Sequence, residues 1–169
     1  MKYLYIRSDT QVRSKPEWLD AFRTKYDEPY PYHMSLKRVV EITDEEAAWV
    51  SARLHEIAKR HTPFEVTFSD VIEGKTGRGH VIMILAKNAD KLHALRNEVY
   101  ETCKEFTKYQ YPEYAGFDAT FNPHLTIARH LTDERLKEAR AALGSDTSIT
   151  VLFNSLTFCL NPRPDAALS

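Results

Sequence analysis

The chain has 169 residues, 43% of them hydrophobic and 28% charged, which is the size of one compact domain able to bury a real core. Its 23 Lys and Arg against 24 Asp and Glu leave a formal charge of −1, too small a field to coat a long polyanion, although a local basic site for one or two phosphates stays open. Two distant cysteines, Cys103 and Cys159, make no disulfide framework and read as buried thiols. The opening Met1-Lys2-Tyr3-Leu4-Tyr5-Ile6-Arg7 lacks the apolar core of a signal peptide, and no run approaches the ~18 apolar residues of a membrane span. A soluble, cytoplasmic protein is expected.

In chain order, Tyr3 to Arg7 alternates as a short strand. Ser14-Lys15-Pro16-Glu17 reads as a capping box with proline in the first turn, and Trp18, Phe22 and Tyr26 follow on one helix face. Pro29 and Pro31 end that helix and extend the chain into Tyr32, and His33 to Ile42 is strand-like. Thr43-Asp44-Glu45-Glu46 is a second capping box, before a helix with Ala47, Val50, Leu54, Ile57 and Ala58 on one stripe. Phe64 to Ile72 and His80 to Ala86 are strands around a glycine-rich turn, and Leu92, Leu95, Val99, Cys103 and Phe106 mark a third helix. Pro123 to Arg129 is a strand, and Asp133 to Leu143 is a helix closed by Gly144. Ile149 to Leu160 is one long strand or two short ones, and Asn161-Pro162-Arg163-Pro164 is a loose tail.

This order repeats itself. Strand, helix, a strand opening with His33, helix and strand are followed from His80 by strand, helix, a strand opening with His124, helix and strand. The expected fold is α+β and bilobal, a duplicated half-domain whose two antiparallel-rich sheets line a central cleft, with helices packed outside. Residues 1–169 form one domain, with the boundary between its lobes near 74–79.

The two motif strands read His33-Met34-Ser35-Leu36 and His124-Leu125-Thr126-Ile127. Alternation puts His33 with Ser35, and His124 with Thr126, on one face of each strand while the aliphatic residues enter a core. A pseudo-twofold would bring both imidazole–hydroxyl pairs to one cleft. Two imidazoles can divide acid and base roles at neutral pH, and two hydroxyls can donate to the nonbridging oxygens of a phosphate held between them. That chemistry suits phosphodiester hydrolysis and requires no metal. A single His-x-Ser/Thr is common in any chain; the significance lies in two copies at equivalent points of a repeated order.

The pair of motifs resembles the 2H phosphoesterase superfamily, the LigT or 2′-5′ RNA ligase-like proteins. Asn122-Pro123-His124-Leu125-Thr126-Ile127-Ala128-Arg129 is similar to that family's second motif, including the preceding proline and trailing arginine. The first motif carries Ser35 where many members carry threonine, and the hydroxyl survives. The resemblance spans essentially the whole chain and implies metal-independent hydrolysis of 2′,3′-cyclic phosphates or related 2′-5′ linkages. It also implies that His33 and His124 are the acid–base pair and that Ser35 and Thr126 bind phosphate. The substrate is then an RNA end or small nucleotide, with no cofactor and no obligate protein partner. Two alternatives stand beside it: cleavage of 2′-5′-linked or cyclic signalling oligonucleotides, and an RNA-end or nucleotide binder without turnover.

Further candidates flank the motifs. By alternation Lys37 falls on the His33 face, whereas Arg129 falls on the Leu125 face and needs a bulge or a strand end to reach substrate. Arg38 and His130 could add positive potential. Tyr32, with Tyr30, precedes the first motif, and Tyr109, Tyr111, Tyr114, Phe117 and Phe121 crowd the loop before the second; any of them could stack on a base or simply pack that loop. Gly74-Lys75-Thr76 fails as a nucleotide loop, since Ser69 stands where glycine is required and a strand follows, so a hairpin turn carrying Lys75 and Arg78 is expected. His55, His61, His80 and His93 have no zinc spacing and read as surface or capping residues.

Overall fold

The computed structural model describes residues 3–27, 31–40, 42–106, 116, 119–160 and 167–168, with the backbone alone at 3–9, 38–40, 157–160 and 167–168. Tyr30, Tyr109, Tyr111, Tyr114, Phe117, the loose tail Asn161-Pro162-Arg163-Pro164, and the side chains of Arg38 and Cys159 lie outside that description. The elements run β1 (Tyr3–Ser14), α1 (Trp18–Tyr26), β2 (His33–Val40), α2 (Asp44–Arg60), β3 (Phe64–Thr76), β4 (Gly79–Lys87), α3 (Asp90–Cys103), a single 3-10 turn (Lys104–Phe106), β5 (His124–Leu131), α4 (Asp133–Ala142), β6 (Ile149–Phe153), β7 (Thr157–Leu160) and β8 (Ala167–Leu168). This is the α+β order that the sequence predicts, with the last segment split into two short strands and a further short strand after it.

The two expected sheets are instead joined into one eight-stranded antiparallel sheet, ordered β5-β4-β3-β6-β1-β7-β8 with β2 also on β1. The length of β1 explains the difference. Its Tyr3–Asp9 stretch pairs with β2, and Leu4 to Arg7 pairs with β7. Its second part, Thr10 to Ser14, pairs with β6. The polar run Asp9-Thr10-Gln11 masks this continuation in the sequence, because the ladder to β6, not apolar alternation, holds it extended. The predicted junction at 74–79 is the tip of a long hairpin, in which β3 and β4 stay paired out to Thr76 and Gly79. Gly79 takes φ +121°, and a Cβ there would meet the Leu131 carbonyl oxygen at 2.8 Å.

Helices pack on strands distant from them in the chain. α1 packs on β5 and α3 packs on β2, while α2 lies against α3 and α1 against α4. The buried faces are Leu19, Phe22 and Tyr26 on α1, and Ala47, Val50, Leu54 and Ile57 on α2, with Ala58 left exposed. Beneath them lie Met34 and Leu36 of β2, Ile82 and Ile84 of β4, and Leu125 and Ile127 of β5. Cys103 is buried as expected, and desolvation pushes its thiol up to about 12 against the opposing pull of Lys37. No helix among the described residues is long and apolar enough to cross a membrane.

The helix ends sort the two predicted capping boxes. At α2, the Thr43 hydroxyl accepts from the Glu46 amide at 3.2 Å and the Thr43 amide donates to the Glu46 carboxylate at 2.7 Å. At α1 there is no such box: Ser14 ends β1, paired with Thr150, and the helix begins only at Trp18 with Glu17 as its cap. Gly144 is not the cap of α4 either. Leu143 occupies that position with extended backbone, and Gly144 lies under the Trp18 indole, where a Cβ would fall 2.2 Å from Nε1. That indole also donates to the Asp146 carbonyl at 2.8 Å. Gly144→Ala should therefore displace Trp18 and lower stability by ~1–3 kcal/mol, read by urea unfolding together with a change in native tryptophan emission.

Candidate active site

The two motif strands reach one cleft, of about 160 Å³. His33, Ser35, His124 and Thr126 all line it. Tyr32 and Phe121 form part of its wall, and Arg23 and Arg129 supply cationic side chains. The pleat explains the selection. Met34, Leu36, Leu125 and Ile127 are buried, so the alternate residues between them face outward.

Both imidazoles are anchored in the same way. His33 Nδ1 lies 3.1 Å from the Pro31 carbonyl oxygen, and His124 Nδ1 lies 2.7 Å from that of Asn122. A carbonyl only accepts, so Nδ1 carries a hydrogen in each ring and the neutral form has its lone pair on Nε2. The residue before each histidine is held as well. The Thr10 hydroxyl on β1 donates to the Tyr32 carbonyl at 2.8 Å, and the Ala86 amide on β4 donates to the Pro123 carbonyl at 2.9 Å.

Just past each hydroxyl the ladder slips by one residue. Ser35 pairs with Arg7 but Lys37 with Ile6, leaving Leu36 extra. Thr126 pairs with Met83 but Ala128 with Ile82, leaving Ile127 extra. Such a bulge reverses the phase of everything beyond it. Leu36 and Lys37 are consequently both buried, as are Ile127 and Ala128. Lys37, expected on the His33 face, is 0% exposed, does not line the cleft, and has its ammonium 5.3 Å from the Tyr100 ring centre on α3. Arg129 moves the other way and joins the Thr126 side. A second slip between Ala128 and Leu131, where His130 has φ +56°, follows directly.

Arg23 and Asp27 on the α1 side of the cleft are not evident from the motifs. The Asp27 side chain is 0% exposed, with Oδ1 at 2.5 Å from Arg129 Nε and Oδ2 at 3.3 Å from Arg23 Nη2. Arg23 also lies over the Tyr32 ring at 4.0 Å. Burial raises the Tyr32 phenol above its ordinary pKa, opposed by Arg23. The sequence signal is the i, i+4 spacing of Arg23 and Asp27, which shows a shared helix face but not its neighbour Arg129, 102 residues beyond Asp27. Across the cleft, Phe121 meets the His93 ring edge-on at 5.5 Å and lies 5.3 Å from the Arg96 guanidinium. His61 pairs with Glu98 and His80 with Asp133, away from the cleft. Among the described residues, no group of three or more His, Cys, Asp or Glu is arranged to hold a metal ion.

Residues 10–162 match the family model described as the 2′-5′ RNA ligase superfamily. A Bacillus pumilus protein that carries a provisional phosphoesterase name is 30% identical over 127 residues, covering 73% of this chain and 68% of its own. Escherichia coli LigT in apo form superposes with a TM-score of 0.60 at 16% identity, over 99% of this chain and 95% of that one. The same LigT complexed with 3′-AMP gives 0.58 at 16% identity, over 99% and 95%. At that identity the solved structures establish likeness of fold.

The ring anchoring makes a spectroscopic prediction. Long-range 1H–15N spectra above the ring pKa should find His33 and His124 both protonated at Nδ1, and an Nε2–H tautomer in either would contradict the hydrogen-bond assignment.

Proposed function

The chain belongs to the 2′-5′ RNA ligase superfamily, the 2H phosphoesterases, and from that membership we propose that it is a phosphodiesterase acting on a 2′,3′-cyclic phosphate at an RNA end or on a small nucleotide. The observation that carries the reading is the matched anchoring of His33 and His124 at one cleft, each through Nδ1 to the carbonyl two residues before it. Neutral and protonated forms of the same ring can then act as base and acid through Nε2.

In this scheme His124 Nε2 takes a proton from water as the water oxygen bonds to phosphorus. The bond from phosphorus to one ribose oxygen breaks, and that oxygen receives the proton of His33 Nε2–H. The product is the substrate plus one water, and solvent resets both rings. Ser35 and Thr126 donate to the nonbridging oxygens, where charge builds in the transition state, and Arg129 supplies the compensating cation. Phe121, braced by His93 and Arg96, offers a face for a base, and Tyr32 closes the cleft beneath Arg23. The recurrence of element order, ring anchoring and bulge supports a duplicated half-domain working as one unit across residues 1–169, and we propose RNA ends or nucleotides as its partners and the cytoplasm as its location.

An oligoribonucleotide ending in a 2′,3′-cyclic phosphate, incubated with the protein in EDTA, should gain one water by mass spectrometry. His33→Ala and His124→Ala should each slow that step by about 10²–10⁴-fold. Ser35→Ala and Thr126→Ala should cost about 1–3 kcal/mol of transition-state stabilisation. Full activity in either histidine variant would overturn the mechanism, and a wild type that leaves the cyclic end intact would overturn the substrate.

A further inference from the structure

We infer that Asp27 is a positioning residue that aims the guanidinium of Arg129, and with it Arg23, at the phosphate-binding side of the cleft. The inference rests on the functional reading above only in naming phosphate as the group bound. Asp27 stands at the carboxyl end of α1, as its capping residue in extended conformation, with its carboxylate wholly out of solvent. Both facts count against an acid. The helix end repels negative charge, and burial strips a carboxylate of its hydration. A chain that needed only to stop a helix here would be served by glycine or asparagine.

The helix end is also secured by other means. Asp27 N–H donates to the Arg23 carbonyl at 2.8 Å, and Arg135 from α4 donates to the Lys25 carbonyl at 2.6 Å. The contacts of the carboxylate itself are the two arginines of the cleft wall, at 2.5 and 3.3 Å. Arg129 needs such a fixture. It lies between two register slips of β5, so the pleat alone does not set its direction. The ion pair of the buried carboxylate with Nε restrains the guanidinium, so less side-chain freedom is lost when an anion arrives.

The test is a double-variant cycle with Asp27→Asn, Arg129→Ala and the pair, read in calorimetric affinity for inorganic phosphate and in the separate kcat and KM for the cyclic-phosphate oligonucleotide. Each single variant should weaken phosphate by about tenfold and act mainly through KM. The pair should lose clearly less than the product of the two single losses, the remainder reporting Arg23, and Asp27→Glu should recover part of the loss. Wild-type phosphate affinity in Asp27→Asn, or losses that multiply in the pair, would overturn the inference. If Asp27→Asn does not fold, Arg129→Lys decides, because lysine keeps the charge but has no planar guanidinium to be aimed: loss comparable to alanine supports positioning and full retention refutes it. A wild type that binds phosphate but hydrolyses nothing contradicts the proposed function and leaves the cycle readable in affinity; a wild type that binds no phosphate refutes the inference as well.

Discussion

The cleft depends on the direction in which alternate side chains leave two antiparallel strands. Met34 and Leu36 on β2, like Leu125 and Ile127 on β5, are buried, and turning any of them outward would expose apolar surface at roughly 25 cal/mol per Å². That cost locks the pleat, and the locked pleat delivers His33 with Ser35 and His124 with Thr126 to the other face. One extra residue in each strand then changes sides. On β5 it brings Arg129 to the cleft, and on β2 it takes Lys37 into the interior beneath α3. The same backbone device has opposite chemical results because the residues beyond it differ.

Charge is handled between elements that lie far apart in the chain. α1 packs on β5 and carries Arg23 and Asp27 to Arg129. α3 packs on β2 and sets the Tyr100 ring beside Lys37 and Arg96, two buried cations. Buried ions tolerate little displacement before desolvation outweighs attraction. These contacts therefore restrain α1 against β5 and α3 against β2, the two strands that carry the cleft histidines.

Much of this was legible in the chain. The order of elements followed from apolar periodicity, and the four motif residues followed from strand alternation, since both are local rules. What escaped was decided by distant partners. Ser14 looks like a helix cap until its ladder with Thr150 claims it for a strand, and Gly144 looks like a helix stop until Trp18 is seen to lie across it. Alternation puts Lys37 on the cleft side only in an unbroken strand, whereas Arg129 needs a break to reach it, and both strands are broken. Asp27 left no trace as a site residue, because nothing near it in sequence indicates that its helix docks on β5.

The central claim is that both imidazoles act on one phosphate through Nε2. A crystal structure with uridine vanadate, whose five-coordinate vanadium mimics phosphorus in mid-transfer, tests it most directly. Vanadium should lie between His33 and His124, with each Nε2 within hydrogen-bond reach of an apical oxygen and the Ser35 and Thr126 hydroxyls on the equatorial ones. Vanadate seated away from the cleft, or bound by one histidine while the other turns from it, would contradict the account.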